Sequence, residues 1–148
     1  MKTWDIHSNR RIETLHPAIR EDVYRFINTI EIKHNIYLRI TQALRTFEEQ
    51  DELYAQGRTK AGNIVTKAKG GDSFHNYGLA FDICEIKDKQ ALWSLDWDII
   101  VPEAKKLGFE WGGDFKSISD KPHFQKTFGL SIADCKKLYI KDEYIKIA

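Results

Sequence analysis

Apolar residues recur at helical spacing near the start of the chain. Between Pro17 and about Lys33, the side chains that share one helical face are Ile19, Val23, Phe26, Ile27 and Ile30. Proline suits the first turn of a helix, because its missing N–H would have no helical partner there. The pattern predicts an amphipathic helix that buries this face.

Strands are predicted where β-forming residues alternate or run together. Ile36–Leu44 is rich in β-forming residues, with alternate apolar positions on one face. Leu79–Ile86 is an almost continuous apolar run, which is typical of a buried strand. Phe109–Trp111 and Pro122–Gln125 are shorter candidate strands on either side of a turn-rich segment.

Further helices are predicted from start and stop signals. Thr46 and Glu49 have the spacing of a capping box, so a helix begins there and ends near Gly57. Apolar residues at helical spacing extend over Asp88–Leu107, where Pro102 would kink or divide the helix. A second capping box at residues 131–134 opens a short last helix.

The order of these elements indicates the fold class. Helices and strands are interspersed, and the chain is too short for repeated βαβ units, so we expect an α+β fold. No internal repeat, low-complexity tract or linker divides the sequence, which predicts a single domain over residues 1–148. The polar stretch Arg58–Asp72 is predicted as a loop, and loops of this length are often functional.

Composition narrows the class of protein. Apolar residues make up 42% and charged residues 30% of the 148 residues, which is a globular composition. With 23 Lys and Arg against 22 Asp and Glu, the net charge of +1 gives no electrostatic basis for nucleic-acid binding. Two cysteines, Cys84 and Cys135, cannot form a disulfide-rich scaffold, and the apolar run around Cys84 predicts a buried free thiol.

No targeting or membrane signal is found in the sequence. No window approaches the ~18 apolar residues of a membrane span. Residues 1–11 are charged throughout and contain no apolar stretch of signal-peptide length. We therefore expect synthesis in the cytoplasm without a signal peptide, and release by another factor if the protein acts outside.

The segment 73–82 carries the first candidate chemistry. Gly78 can reverse the chain, which brings His75 back toward the strand that carries Asp82. A carboxylate on an otherwise apolar strand must be paired or metal-bound, because an isolated buried charge is too costly. His75 and Asp82 can therefore supply one nitrogen and one oxygen ligand to a cation such as zinc.

A second segment, 119–125, can complete the site. His123 follows a proline in a short extended piece and would make a set of two histidines and one carboxylate. Three protein ligands leave the fourth tetrahedral position to water, which is the arrangement of a catalytic zinc site. Asp120 is close enough in sequence to take a proton from that water during attack on a carbonyl and to give it to the leaving amine.

Each of these residues also has a simpler interpretation. A histidine beside apolar residues is usually only hydrogen-bonded, Asp82 alone can pair with an arginine, and Asp120 alone is typical of a turn. His7, His16 and His34 lie in or beside the first predicted helix and are weaker ligand candidates. The metal site is favoured by the joint occurrence of the set, not by any single member.

The two segments resemble a known signature. Ser-x-His-x-x-Gly-x-Ala-x-Asp at 73–82, followed by Asp-x-x-His at 120–123, is similar to the motifs of the zinc peptidases of the D-Ala-D-Ala carboxypeptidase superfamily. Gln-Ala-Leu-Arg-Thr at 42–46 and Gly-Phe-Glu-Trp-Gly-Gly-Asp at 108–114 are closer to one branch, the L-alanyl-D-glutamate endopeptidases, found as phage endolysins and bacterial cell-wall lytic enzymes. The resemblance extends over about residues 36–125. It implies a hedgehog-like fold with a small central antiparallel sheet and flanking helices.

The resemblance also implies a role for each matching residue. His75, Asp82 and His123 would bind Zn²⁺, and Asp120 would be the general base. Arg45 would bind substrate or stabilise the negative charge that develops on the attacked carbonyl oxygen. The alternative for Arg45 is an ion pair at the surface or at the start of a helix, which contributes at most about 1 kcal/mol.

Other residues would contact the substrate, which the resemblance implies is a peptidoglycan stem peptide. Ser73 would orient a ligand or contact the substrate, or else cap a turn. Tyr77, Trp111 and Phe124 would line a groove, although aromatics at such spacing commonly belong to the core. The loop at 58–72 would form one wall, with lysines that attract carboxylates.

The expected function is hydrolysis of the L-alanyl-D-glutamate bond by a monomeric zinc peptidase. As an endolysin, it would reach the cell wall through a partner pore, a phage holin. Two alternatives stay open: a D,D-carboxypeptidase or D,D-dipeptidase of the same superfamily, and a non-catalytic zinc-bearing binding module. Asp120 discriminates against the binding module, because such a module has no need of a base.

Overall fold

The central sheet is built around one long strand. The computed structural model, which describes residues 1–147, places β2 (Ala80–Lys87) in the middle. β1 (Leu38–Gln42) pairs with one edge of β2, and β5 (His123–Gln125) pairs with the other. β4 (Glu110–Trp111) extends the sheet beyond β5, and β3 (Gln90–Leu92) forms a hairpin with the end of β2. Every pairing is antiparallel.

The helices of the described residues precede, separate and follow the strands in sequence, so the fold is α+β as predicted. They are α1 (Ile6–Ile12), α2 (Pro17–His34), α3 (Phe47–Ala55), α4 (Trp97–Lys106) and α5 (Ile132–Leu138). α3 and α5 both begin at the predicted capping boxes, with reciprocal side-chain and backbone hydrogen bonds in each. None of the helices within residues 1–147 has the length and apolar character needed to cross a membrane.

The core lies between α2 and one face of the sheet. The ring centroid of Phe26 on α2 is 6.1 Å from that of Phe81 and 5.4 Å from that of Phe124. Phe81 and Phe124 are cross-strand partners on β2 and β5, and both are fully buried. Because side chains alternate along a strand, the adjacent residues Asp82 and His123 lie on the opposite face. The candidate site is therefore built on the back of a packed aromatic core.

The structure differs from the prediction after residue 87. The helix predicted over Asp88–Leu107 begins only at Trp97, because β2 turns through Asp88 and Lys89 into β3. These two residues have φ of 51° and 62°, a two-residue hairpin turn whose twist matches that of its strands. The helix that follows is continuous through Pro102 and is not divided there.

Two further observations concern helix α1 and the two cysteines. Helix α1 was not predicted, and it is capped by the side chain of Asp5, which accepts a hydrogen bond from the N–H of Ser8. Cys84 and Cys135 are both buried free thiols, as expected for Cys84.

Candidate active site

The three predicted metal ligands meet at one point on the sheet. Asp82 and His123 are directly opposite each other on β2 and β5, where side chains on one face are close neighbours. His75 reaches the same point from a short 3₁₀ turn, Phe74–Tyr77. Nε2 of His75 and Nδ1 of His123 each lie 3.2 Å from Oδ1 of Asp82. One ligand atom from each residue lies within 4.8 Å of the others.

Local sequence explains how His75 reaches the sheet. The hydroxyl of Ser73 caps the 3₁₀ turn by accepting a hydrogen bond from the N–H of His75 at 3.2 Å. Gly78 ends the turn with φ of 70°, the left-handed region that favours glycine. A Cβ at position 78 would also lie 2.6 Å from the backbone nitrogen of His16. The predicted chain reversal at Gly78 is therefore present, and it requires glycine.

The second ring nitrogen of each histidine faces a carbonyl oxygen. Nδ1 of His75 donates to the backbone carbonyl of Ala43 at 2.9 Å, and Nε2 of His123 donates to Oε1 of Gln125 at 2.7 Å. The amide of Gln125 is itself oriented by a 2.9 Å hydrogen bond to Oε2 of Glu110. In the neutral imidazoles these bonds leave the lone pairs of His75 Nε2 and His123 Nδ1 directed at the shared point, as in metal sites with an outer layer of hydrogen bonds.

The charges at this point match those of a cation site. Burial raises the pKa of Asp82, but hydrogen bonds from His123 and His75 outweigh burial and hold this pKa well below its ordinary value. Burial lowers the pKa of His123, and the hydrogen bond and charge of Asp82 raise it above its ordinary value. Two imidazole nitrogens and one carboxylate oxygen are a donor set that Zn²⁺ prefers. The residues present therefore fit a zinc ion.

Asp120 lies beside this group without joining it. Its Oδ2 is 3.9 Å from Nδ1 of His123, and its side chain is 53% exposed. Partial burial raises the pKa of Asp120 above its ordinary value, and the negative charge of Asp82 adds to the rise. The backbone N–H of Asp120 donates to the carbonyl of Gly112 at 2.9 Å, which fixes the turn that carries the carboxylate. The Asp120 carboxylate thus faces the cleft beside the three-donor group.

Gly112 is a site residue that the sequence did not single out. A Cβ at this position would lie 2.1 Å from the carbonyl oxygen of Asp120 and 2.9 Å from Cβ of His123. Only glycine allows the two segments to approach so closely. The sequence shows two adjacent glycines at 112 and 113, but it does not show that Gly112 packs against Asp120 and His123.

The guanidinium of Arg45 lies in the same region and is held by uncharged acceptors. Its Nη1 donates to Oε1 of Gln50 at 3.0 Å, and its Nη2 donates to Oε1 of Gln42 at 3.4 Å. Gln42 is the cross-strand partner of Asp82 on β1, and the N–H of Arg45 donates to the carbonyl of His75 at 3.0 Å. Among residues 1–147, no ion pair within 4.0 Å involves Arg45, so the alternative of a surface ion pair is not observed.

A cleft of about 810 Å³ opens over these side chains. The predicted site residues that line it are Arg45, Ser73, His75, Asp82, Asp120 and His123. The facing wall comes from α3, with Glu52 and Leu53, and from the predicted loop, with Lys60 and Val65. The loop at 58–72 therefore contributes a wall, as expected, whereas the contribution of α3 was not anticipated from its sequence.

The three predicted groove aromatics lie elsewhere. Tyr77 is buried, and its ring centroid lies 5.8 Å from that of Phe47. Phe124 belongs to the core, and Trp111 donates from Nε1 to the carbonyl of Lys121 at 2.8 Å. None of the three lines the cleft. The side chains of Tyr77 and Trp111 therefore pack into or against the core and do not line the cleft, which matches the core alternative for these aromatics.

Known proteins share this sequence pattern and fold. A family model for D-alanyl-D-alanine carboxypeptidase matches residues 66–126. The peptidoglycan L-alanyl-D-glutamate endopeptidase CwlK of Bacillus subtilis is 45% identical over a stretch that covers 75% of this chain and 72% of that protein.

Solved structures agree with this match. The crystal structure of the L-Ala D-Glu endopeptidase ChiX of Serratia marcescens has a TM-score of 0.58 and 25% identity, covering 83% of this chain and 88% of that one. A mutant of the vancomycin-resistance D,D-pentapeptidase VanY in complex with Zn(II) has a TM-score of 0.57 at 18% identity, covering 76% of this chain and 72% of that one. At 18% identity, the similarity to VanY is evidence for the shared fold alone.

The fold and the three-donor site define a metallopeptidase of the D-Ala-D-Ala carboxypeptidase type. With 45% identity to CwlK over most of both proteins, the chain belongs to this peptidase family. The predicted resemblance and fold class are confirmed, and the chain is an enzyme of this family. The expected zinc cofactor is supported by the family and by the His-Asp-His donor set.

Proposed function

We propose that this chain hydrolyses the L-alanyl-D-glutamate bond of peptidoglycan stem peptides, with Zn²⁺ bound by His75, Asp82 and His123. The observation that carries the proposal is the convergence of three ligand atoms within 4.8 Å at the floor of an 810 Å³ cleft. The named activity of CwlK, at 45% identity, supports the choice of bond, and the fold neighbour ChiX carries the same activity in its name.

In the proposed reaction, the metal would activate the water and the scissile carbonyl, and Asp120 would transfer the proton. Zinc bound at these three ligands would polarise the scissile carbonyl and lower the pKa of a bound water to ~7. Asp120, 3.9 Å from His123, would take the proton as the water oxygen bonds to the carbonyl carbon. It would then give that proton to the amine nitrogen as the C–N bond breaks.

Arg45 and Ser73 would hold the substrate. Because amide oxygens and not carboxylates hold the guanidinium of Arg45, its positive charge is available to an oxyanion or a substrate carboxylate. Ser73 lines the cleft, and its hydroxyl caps the turn that carries His75. A substrate contact for Ser73 is therefore compatible with its capping role.

The bond specificity is tested by digesting purified muropeptides and identifying the new termini by mass spectrometry. We expect products that end in L-alanine and products that begin with D-glutamate. Release of free D-alanine with the Ala–Glu bonds intact would instead assign a D,D-carboxypeptidase or dipeptidase. Full zinc content with no hydrolysis of any muropeptide would assign a non-catalytic binding module.

The proposal extends to the state and setting in which the enzyme acts. The proposed ligands and Asp120 line one cleft of this chain. We propose that residues 1–148 form one catalytic domain, which acts as a monomer. We further propose synthesis in the cytoplasm and access to the cell wall through a partner pore such as a phage holin. Light scattering tests the first point, and lysis of host cells with and without a co-expressed holin tests the second.

A further inference from the structure

We propose that Gln50 is a positioning residue that aims the guanidinium of Arg45 into the cleft without pairing it with a carboxylate. The inference rests on the role proposed for Arg45 in binding substrate or oxyanion. It goes beyond that role because it identifies the residue that orients the Arg45 side chain. That residue, Gln50, does not itself line the cleft.

The amide of Gln50 has one possible orientation. Gln50 lies on α3 and is fully buried. Its Nε2 donates to the backbone carbonyl of Ala68 at 2.9 Å, which is an acceptor only. Its Oε1 therefore faces the other way and accepts from Nη1 of Arg45 at 3.0 Å and from Nδ2 of Asn76 at 3.4 Å. A buried amide with both ends satisfied is rigid, because turning it would leave two buried groups without partners.

The neutrality of this acceptor matters for the chemistry. A carboxylate at the same place would also orient the guanidinium, but it would cancel much of the positive charge that a substrate anion must meet. An amide oxygen orients the guanidinium of Arg45 without adding a negative charge beside it. Gln42, the second acceptor of Arg45, is likewise an amide and lies 3.4 Å away. Both acceptors of this partly buried guanidinium are therefore uncharged, and the carboxylates of Asp82, Glu49 and Asp120 act on it only through their charges, without a hydrogen bond.

Gln50 also connects Arg45 to the metal-ligand side of the cleft. Asn76, its second donor, lies in the same 3₁₀ turn as His75, and its Nδ2 donates to the carbonyl of Arg45 at 3.0 Å. The third partner, Ala68, belongs to the loop that forms the cleft wall. One buried amide thus sets Arg45 relative to both the proposed zinc ligands and the wall, which is how a supporting residue fixes a catalytic group.

A double-mutant cycle tests this assignment. Gln50→Met keeps the volume and removes all three side-chain hydrogen bonds, those with Arg45, Ala68 and Asn76. We expect it to lower kcat/KM on a muropeptide substrate by about 10- to 100-fold, since misplacing a reacting group by 1 Å has effects of this size. In an Arg45→Ala background the same change is expected to lower kcat/KM by less than about 2-fold, because its target is already gone. Zinc content and melting temperature, measured on all four proteins, report on folding and on the metal site.

A matched control comes from the same helix. Gln56 is the residue that caps the C-terminus of α3; it lines the cleft and donates to a loop carbonyl, that of Asn63 at 3.0 Å, but it makes no hydrogen bond with Arg45. Any effect of Gln56→Met is expected to be the same in both backgrounds. If Gln50→Met gives equal losses with and without Arg45, or no loss at all, Gln50 does not act through Arg45 and the inference is wrong.

Two further measurements keep the inference testable. If Gln50→Met does not fold, Gln50→Glu replaces it in the cycle: the carboxylate would neutralise Arg45, so kcat/KM should fall by at least about 10-fold. Wild-type kinetics in Gln50→Glu would overturn the inference. If the enzyme cleaves a bond other than L-alanyl-D-glutamate, the proposed function fails, but the cycle is run unchanged on that bond. If no bond is cleaved, calorimetric binding of a stem peptide to the same variants replaces kcat/KM.

Discussion

The two sides of the cleft are held in different ways. On the ligand side, Asp82 sits on the central strand with Gln42 as its partner on one edge and His123 on the other. On the wall side, the loop at 58–72 has an isolated bridge between Gln56 and Lys60 as its only strand-like pairing in the described residues. Its apolar side chains are largely exposed, with Ile64 at 58% and Val65 at 56%.

The difference separates chemistry from recognition. Metal ligands and a proton acceptor need positions fixed to about 0.5 Å, and a doubly paired strand supplies them. A wall with few buried contacts opens at low free energy and can adapt to a peptide. We therefore expect substitutions on the sheet side to abolish chemistry and substitutions on the wall to change substrate binding by small factors.

The largest effect is expected from removing a ligand. His123→Ala leaves two donors, so zinc content should fall from one ion per chain to near zero and hydrolysis should fall to background. Metal analysis after dialysis, paired with a muropeptide assay, measures both. His7→Ala, an exposed histidine on α1, is the control and should keep full zinc and activity. Full activity after exhaustive chelation, with zinc shown to be absent, would refute the metal mechanism.

The next effect is the loss of the proposed base. Asp120→Ala should keep one zinc per chain and lose at least ~100-fold in wall-lytic activity, since a positioned general base contributes 10²-fold or more. Asp114→Ala provides a control, because Asp114 lies on the same segment and pairs with Lys105 at 2.7 Å outside the cleft. Unchanged lysis by Asp120→Ala would remove this carboxylate from the mechanism.

Local signals in the sequence were enough to predict the sheet side. The period of apolar residues gave α2, the continuous apolar run gave the strand that carries Asp82, and the capping box at Thr46 gave the start of α3. The residues His75 and Gly78 lie within one turn, so their geometry follows from a single chain reversal. Such signals act over a few residues and need no knowledge of distant partners.

The supporting hydrogen bonds could not be predicted in this way. Gln50 contacts a carbonyl 18 residues away, and Gln125 contacts Glu110, 15 residues away, so neither pair has a local pattern. Closeness in sequence was also misleading: Tyr77 is two residues from a proposed ligand, but its ring packs on Phe47. Which side of the chain a residue faces is decided by tertiary packing.

A smaller loss of activity is expected from a substitution at Gly112, where its segment packs against the turn that carries Asp120. Gly112→Ala places a Cβ 2.1 Å from the carbonyl of Asp120, so the turn that carries the proposed base must shift. We expect roughly a 10-fold loss of kcat/KM with zinc content retained. Gly129→Ala is the opposite case: nothing lies within 4 Å of its Cβ, but its φ is +76°. It should destabilise the fold by about 1 kcal/mol and leave kcat/KM unchanged. Equal activity of the two variants would show that Gly112 does not position Asp120.

The smallest effect is expected on the wall. Lys60 pairs with Glu52 across the cleft wall, and both side chains are more than half exposed, at 54% and 65%. A surface pair of this kind contributes between 0 and about 1 kcal/mol, so Lys60→Gln should leave the melting temperature nearly unchanged. If Lys60 attracts substrate carboxylates, KM should rise by less than about 3-fold at low salt, and the difference should vanish near 1 M salt, where the screening length is ~3 Å. Lys67→Gln, on the same loop but not lining the cleft, is the matched control. A loss of more than about 10-fold in kcat from Lys60→Gln would contradict the separation of chemistry from recognition, because the wall would then take part in the reaction itself.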